Sequence, residues 1–227
     1  MDLRIAGIKA CVFDAYGTLF DVNSAASQAR DELGEKWQPL AELWRAKQLQ
    51  YTWLRGLMGR HADFWQVTGE ALDFAMTSLK VSDTGLRDRL MALYLRLDVY
   101  PDVKDTLIRL RSAGMKLAIL SNGEPGMLAA AASNSGIAEL LDAVISVEEV
   151  RVFKPHPSVY RLPGERFNLA PGQMCFLSSN GWDAHAAKST GLRVIWCNRF
   201  GQTPERMPER PDGEIGSIAV LPEIVCG

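Results

Sequence analysis

The sequence lacks a long hydrophobic run. No apolar stretch approaches the ~18 residues that mark a membrane-crossing helix, so no membrane span is expected. It also lacks an excess of positive charge. Lysine and arginine number 25 against 27 acidic residues, a formal net charge of −2. A protein that neutralises nucleic-acid phosphates needs a clear basic surplus, so no nucleic-acid partner is expected. The four cysteines, Cys11, Cys175, Cys197 and Cys226, form no C-x-x-C pair, which argues against a zinc ribbon or a redox dithiol. Three of them fall in apolar, strand-like runs and read as buried free thiols of a reducing, cytoplasmic setting. His61, His156 and His185 show no metal-ligand spacing. The opening Met1-Asp2-Leu3-Arg4 has no basic segment leading into an apolar core, so no secretory signal is expected. What remains is an ordinary globular composition, 47% apolar and 23% charged over 227 residues. It is too apolar for disorder, and its length suits a core domain with a smaller insert.

Short apolar runs recur at residues 9–13, 116–120, 143–145, 174–177, 194–197 and 218–221. Because they are continuously apolar rather than alternating, they are expected to be strands buried on both faces. Helical patterns separate most of them. Residues 102–113 carry Val103, Leu107 and Leu110 at helical spacing and end at Gly114, and the alanine-rich stretch 127–135 ends at Gly136. This β-α-β rhythm predicts an α/β protein: a Rossmann-like parallel sheet core with helices on both faces and right-handed crossovers. Residues 21–98 break the rhythm. Leu40, Leu43, Trp44, Tyr51, Leu54 and Met58 fall near helical spacing, as do apolar positions over 64–79, with no convincing strand. The expectation is a helical cap subdomain, 21–98, inserted into a core made of 1–20 and 99–227. The stretch 202–216, rich in Pro, Glu and Arg, reads as a surface loop. Pro163 predicts a break or kink in the helical stretch 158–167.

The sharpest signal is Asp14-Ala15-Tyr16-Gly17-Thr18-Leu19. A carboxylate at the end of a buried strand, followed by a tight glycine turn, projects from the carboxyl edge of the sheet, where open α/β folds bind ligands. On its own, Asp14 reads equally as a nucleophile or as the cap of a following helix. Three further polar groups follow apolar runs in the same way: Ser121-Asn122-Gly123, Lys154-Pro155 after Val152-Phe153, and Ser178-Ser179-Asn180-Gly181-Trp182-Asp183. Singly these read as a turn, a surface lysine and a helix N-cap. If the strands are parallel, all four converge on one edge.

Together these segments resemble the haloacid dehalogenase superfamily and, within it, the type II (S)-2-haloacid dehalogenases, over nearly the whole chain. The superfamily's nucleophile pattern D-x-x-G-T/V is matched by Asp14, Gly17 and Thr18. Its later Ser/Thr is matched by Ser121, its lysine by Lys154, and its acidic fourth motif around Asp183. The narrower marks of the dehalogenase branch stand at residues 14–19, 43–53, 120–123, 154–160 and 178–183. They read Asp-Ala-Tyr-Gly-Thr-Leu, Leu-Trp-Arg-x-Lys-Gln-Leu-x-Tyr-Thr-Trp, Leu-Ser-Asn-Gly, Lys-Pro-x-Pro-x-x-Tyr and Ser-Ser-Asn-x-Trp-Asp. Phosphatases of the superfamily place a second Asp two residues after the nucleophile, where this chain has Tyr16. Their fourth motif commonly adds carboxylates, where Ser178, Ser179 and Asn180 leave only Asp183. A hard cation prefers several carboxylate oxygens, so no metal and no cofactor are expected. A halide is a weak base and departs without a proton from that missing acid.

The resemblance implies hydrolysis of short L-(S)-2-haloalkanoic acids to D-(R)-2-hydroxy acids with inversion. Asp14 displaces halide from C2 to give an aspartyl ester, which water then hydrolyses. The substrate brings its own carboxylate, and two like charges about 4 Å apart repel by roughly 4 kcal/mol at an effective dielectric near 20. Lys154 is expected to hold Asp14 ionised. Arg45 and Asn122 would receive the halide. Ser121 and the backbone N–H groups from Ala15 onward would hold the substrate carboxylate. Thr18 would orient Asp14. Asp183, with Asn180 and Lys154, would position or activate the water, or Asp183 would only anchor Lys154. Tyr160 and Ser178 stand at supporting positions. Arg45 and Leu49 share a helix face and, with Tyr16, Phe64 and Trp182, would wall the substrate. For Phe64, plain core packing is an equal reading. A Mg²⁺-dependent phosphatase and a catalytically silent binding protein are the rival readings. The resemblance also implies a homodimer.

Overall fold

A computed structural model of the chain describes residues 3–22 and 30–226. Six strands form one sheet: β1 Ala10–Phe13, β2 Lys116–Ser121, β3 Ala143–Ser146, β4 Met174–Ser178, β5 Arg193–Cys197 and β6 Gly213–Ile215. Their order is β3-β2-β1-β4-β5-β6 and every pairing is parallel. Successive strand residues point to opposite faces. All four residues of β1 are buried, so the sheet is covered on both sides, as a parallel sheet must be. The strand order reverses at β1, which lies between β2 and β4. That is the switch point at which Rossmann-like sheets open a crevice beyond their carboxyl ends. Phe13 is in register with Ile119 and Leu177, so Asp14 and Ser178 stand level, with Ser121 at the end of β2 beside them.

Nine helices accompany the sheet among the described residues: α1 Arg30–Leu33, α2 Trp37–Met58, α3 Phe64–Ser78, α4 Thr84–Leu93, α5 Val103–Ser112, α6 Pro125–Asn134, α7 Pro157–Phe167, α8 Gly181–Lys188 and α9 Leu221–Val225. The first four fill the segment that breaks the β-α-β rhythm, and no strand occurs among its described residues. Helix α2 buries Leu40, Trp44, Gln48 and Thr52, a four-residue spacing that makes a single stripe. Asp63 starts α3 by accepting the Gln66 N–H at 2.7 Å, and Asp83 starts α4 by accepting the Leu86 N–H at 2.9 Å.

Four sequence expectations need correction. Residues 218–221 are not a strand but a 3₁₀ turn running into α9, whose Pro222 sits in the first turn, where a missing N–H costs nothing. The sixth strand is instead Gly213–Ile215, inside the stretch read as loop. It is too short to show a period, and Asp212 anchors it by donating its N–H to the Val194 carbonyl at 2.8 Å. Of the expected break or kink at Pro163, the break does not occur: helix α7 runs through it. Pro163 and its neighbour Leu162 are buried, and that packing offsets the lost backbone bond. Val152-Phe153 belongs to no strand, so Lys154 is delivered by the loop that follows β3. Cys11, Cys175 and Cys197 are buried and unpaired, and burial pushes the Cys175 thiol up to about 12. No helix among the described residues is long and apolar enough to cross a membrane.

Candidate active site

The site is built outward from Asp14. Its N–H donates to the Leu177 carbonyl at 2.8 Å, which prolongs the β1–β4 ladder by one residue and carries the carboxyl group to the switch point. The chain then turns through Gly17, whose φ of +89° only glycine adopts freely. The turn closes on Ala15, whose carbonyl accepts the N–H groups of Thr18, Leu19 and Phe20 at 3.2, 2.9 and 3.0 Å. Ala15 therefore acts through its backbone, with its side chain buried.

The carboxylate of Asp14 is gripped unevenly. Oδ2 accepts from Asn180 Nδ2 at 2.9 Å, Thr18 Oγ1 at 3.1 Å and Ser178 Oγ at 3.4 Å. Oδ1 accepts from Lys154 Nζ at 3.0 Å. The two hydroxyls are themselves oriented. Thr18 Oγ1 accepts the Ser179 N–H at 2.8 Å and Ser178 Oγ accepts the Asn180 N–H at 3.1 Å, so the proton of each is free to point at Asp14.

Lys154 lies between two carboxylates, at 3.0 Å from Asp14 and 2.8 Å from Asp183, with a side chain only 1% exposed. Burial alone pulls its ammonium down, but Asp14 and Asp183 outweigh this and hold it above its ordinary value. Asp183 is fully buried, and burial pushes its carboxyl upward, with the negative charge of Asp14 adding to the push and Lys154 opposing it. Its second oxygen accepts from Tyr160 Oη at 2.6 Å. Burial beside this carboxylate raises the Tyr160 phenol well above 10.0, so it stays a donor. The structure thus places Asp183 and Tyr160 behind Lys154, with no hydrogen bond of either to Asp14.

Arg45, on α2, reaches over the turn. Its Nη2 lies 3.4 Å from Asn180 Oδ1 and 3.5 Å from the Tyr16 carbonyl, and its Nη1 donates to Gln48 at 2.7 Å. Gln48 belongs to the 43–53 motif but carries no role from sequence; a glutamine on the buried stripe, four residues after Trp44, is its signal. Its own amide donates to Thr68 at 2.7 Å and Tyr94 at 3.1 Å, which fixes the acceptor end toward Arg45. Tyr94 had no sequence signal. On the other flank, Ser121 Oγ accepts the Gly123 N–H at 3.0 Å, and Asn122 Oδ1 accepts the Lys154 N–H at 3.0 Å. Each keeps its donor for a ligand.

Apolar surface surrounds this polar knot. The Tyr16 ring lies 5.5 Å from Phe64 and 5.5 Å from Tyr94, and Phe64 continues to Phe153 at 6.3 Å. Trp182 stands edge-on to Trp53 of α2 at 5.4 Å, and half-buried Leu49 lies one turn before it. A cavity of about 460 Å³ opens between α2 and the core, touching Trp53, Phe153, Lys154 and Trp182. Gly123 is the close-approach glycine: a Cβ there would lie 2.8 Å from the Tyr16 ring and 2.8 Å from Leu128. Gly123→Ala is therefore expected to cost about 1–3 kcal/mol of stability and to raise KM by displacing Tyr16. Urea denaturation and initial-rate kinetics check the two halves separately.

A buried aspartate at the switch point, bound by one ammonium and three neutral donors beneath an arginine-bearing helix, makes a carboxylate-centred site at the ligand-binding edge of a Rossmann-like sheet. The family description haloacid dehalogenase-like hydrolase matches residues 8–191, and the chain belongs to that family. It is 45% identical over 202 residues to (S)-2-haloacid dehalogenase 4A of Burkholderia cepacia, covering 88% of this chain and 87% of that one. A crystal structure of a dehalogenase with an intermediate complex superposes with a TM-score of 0.96 at 41% identity, covering 98% and 99% of the two chains. The L-2-haloacid dehalogenase of Xanthobacter autotrophicus, solved with chloropropionic acid covalently bound, superposes with a TM-score of 0.89 at 40% identity, covering 95% and 97%.

Proposed function

We infer that this chain hydrolyses short L-(S)-2-haloalkanoic acids to D-(R)-2-hydroxy acids with inversion at C2, through an ester on Asp14. The observation that carries the reading is the Asp14 carboxylate itself, paired with Lys154 at 3.0 Å, with Tyr16 rather than a second Asp two residues on. Oδ2 already accepts three hydrogen bonds and Oδ1 one, so Oδ1 is the oxygen left to attack. Its lone pair forms the bond to C2 as the carbon–halogen bond breaks, and the halide leaves with the bonding pair. Arg45 and the NH₂ of Asn122 receive it. The two carboxylates and Lys154 carry a net single negative charge, and Arg45 brings the site to neutral. The substrate carboxylate is then met by dipoles, the Ser121 hydroxyl and the N–H groups after Asp14. Leu49, Tyr16, Phe64 and Trp182 wall the alkyl part and exclude water.

In the second half, a water attacks Cγ of Asp14. The bond from Cγ to the former Oδ1 breaks, so that oxygen leaves in the product; one proton of the water passes to that oxygen to make the hydroxyl, the other is released to solvent, and Asp14 returns as a carboxylate. Asn180 stays on the oxygen that remains, and Asp183 acts by holding Lys154 in place. No metal is proposed, because Tyr16 stands where the superfamily's phosphatases carry a second Asp, and Ser178, Ser179 and Asn180 leave Asp183 as the one carboxylate of the fourth segment. Ionised Asp183 is needed for that hold, and its carboxyl is raised above 3.8. Acidification therefore protonates it before ordinary carboxyls, and kcat is expected to fall on the acid side from above the usual aspartate range. A pH–kcat profile checks this, and an acid limb that is unchanged in Asp183→Asn would contradict it.

The central test is incubation with L-2-chloropropionate in EDTA, measuring chloride and the chirality of the lactate. Racemic lactate would contradict a single displacement. Phosphate released from an aryl phosphate only with added Mg²⁺ would favour the phosphatase. We further propose the division into core 1–20 and 99–227 and cap 21–98, supported by the Phe20–Val99 bridge where the two crossings meet. A homodimer is supported by exposed Leu54, Leu57, Met58 and Phe74 on α2 and α3, and sedimentation reads it. A reducing cytoplasmic setting is supported by the unpaired cysteines.

A further inference from the structure

Two strands of chain connect the nucleophile turn with helices α1 to α4, and they are fastened to each other where they cross. Phe20 bridges Val99 in antiparallel fashion. The Asp21 N–H donates to the Asp98 carbonyl at 2.8 Å, and the Tyr100 N–H to the Leu19 carbonyl at 3.0 Å. Arg199, in the loop after β5, grips this junction from outside the site. Its Nη2 donates to the Thr18 carbonyl at 3.1 Å and its Nη1 to Asp102 Oδ2 at 2.8 Å. The guanidinium also lies over the Tyr100 ring, 4.3 Å from its centre. Asp102 Oδ2 is fixed in turn by Ser217 Oγ at 2.5 Å and the Ile218 N–H at 3.0 Å. The Arg199 and Asp102 side chains are only 9% and 15% exposed.

A buried ion pair adds little net stability over apolar residues of equal volume, so charge alone does not account for Arg199. What a guanidinium adds is direction: a planar, rigid fork that bonds two acceptors at a set angle. One of those acceptors belongs to Thr18, whose hydroxyl binds Asp14 Oδ2 at its other end. Thr18 is thus held at its carbonyl by Arg199 and at its side chain by the nucleophile.

We propose that Arg199 is a positioning residue for the reaction. Its fork ties the Thr18 carbonyl to Asp102 and Tyr100, and so locks the turn that aims Asp14 to the crossing that leads into the helical insert. This role rests on Asp14 being the nucleophile.

The test uses the full chain in two variants. Asp102→Asn keeps an acceptor for Ser217, Ile218 and Arg199, so the Arg199–Thr18 bond is retained, while the unpaired guanidinium lowers the urea midpoint. Arg199→Met/Asp102→Asn removes both charges together, so no buried charge is left unpaired, but takes the donor from Thr18. Asp102→Asn is expected to keep kcat within two-fold of the parent. The double variant is expected to lose kcat by about ten-fold or more, with KM within two-fold, because small misplacements of a reacting group cost this much. Amide hydrogen exchange over residues 15–20 should rise in the double variant alone, with the interior of β5 unchanged. A kcat and an exchange pattern equal to those of the parent would overturn the proposal. If the double variant does not accumulate folded, Arg199→Lys is read instead. It retains the charge beside Asp102 but not the fork, and kcat should fall at least three-fold, whereas parental kcat overturns the proposal. A parent that releases no halide would refute the Asp14 chemistry instead, and the exchange over residues 15–20 would still decide the brace.

Discussion

Asp14→Asn is expected to lower kcat for halide release by on the order of 10⁴-fold or more, as removal of a covalent nucleophile does, while the protein remains folded. The amide is close in shape to the carboxylate, so the β1–β4 ladder and the Ala15 turn are untouched. The chemistry is lost for two reasons. An amide oxygen is a poor nucleophile toward C2. In addition, the new NH₂ faces the Lys154 ammonium or the Asn180 NH₂, donors that the carboxylate had satisfied, and only the Thr18 and Ser178 hydroxyls could turn to accept it. A single turnover of the parent enzyme in oxygen-18 water tests the same assignment without a variant. The product hydroxyl takes its oxygen from Asp14, so the label should appear on the peptide carrying residue 14 and be largely absent from the lactate. Label in the lactate on the first turnover means that water attacks C2 directly. Ordinary turnover by Asp14→Asn would refute the nucleophile outright.

The parts of the molecule that could be read in advance were those whose pattern is local. Five of the six strands are short, continuously apolar runs, and burial on both faces is what such runs signify. The helices α2 and α3 announce themselves by one buried stripe each. Residues that end a strand, Asp14, Ser121 and Ser178, could be assigned to one edge once the sheet was taken as parallel. What escaped was set by packing between distant segments. Strand β6 is three residues long and exists because Asp212 and Asn198 clamp it to β5. Lys154 reaches Asp14 from a loop rather than from a strand, so its arrival was foreseen for the wrong reason. Gln48 and Tyr94 form a relay to Arg45 that only the folded chain brings together. Asp183 was given two readings, water activation and anchorage of Lys154. It bonds the lysine at 2.8 Å and Tyr160 at 2.6 Å, partners that sequence spacing could not name, and a carboxylate so placed serves either reading.

Lys154→Met is the second large effect, on stability as well as on rate. Methionine replaces the stem of the side chain but leaves Asp14 and Asp183 without the ammonium that lies 3.0 and 2.8 Å from them. Breaking a buried pair on one side costs about 3–5 kcal/mol, because the remaining charge stays buried and unpaired. The pH dependence carries the signature. In the parent, Lys154 is held above 10.5, so its contribution is fully present below 10.5 and is lost as pH climbs through the raised value. Asp183 is held above 3.8, so between 3.8 and its raised value the folded state binds a proton that the unfolded state does not, and stability falls as pH rises. Without Lys154 this second window widens. The stability gap between parent and variant should therefore be largest at neutral pH. It should narrow in acid, where the variant neutralises its carboxyls, and again in strong alkali, where the parent loses its ammonium. Urea midpoints across pH measure this directly. For the reaction, an unscreened substrate carboxylate opposing Asp14 costs about 4 kcal/mol at an effective dielectric near 20, which corresponds to roughly 10³-fold in kcat/KM. Lys154→Met/Asp183→Asn separates the two effects. With one buried charge fewer it should regain most of the stability but none of the rate. Recovery of rate along with stability would mean that Lys154 serves the fold alone.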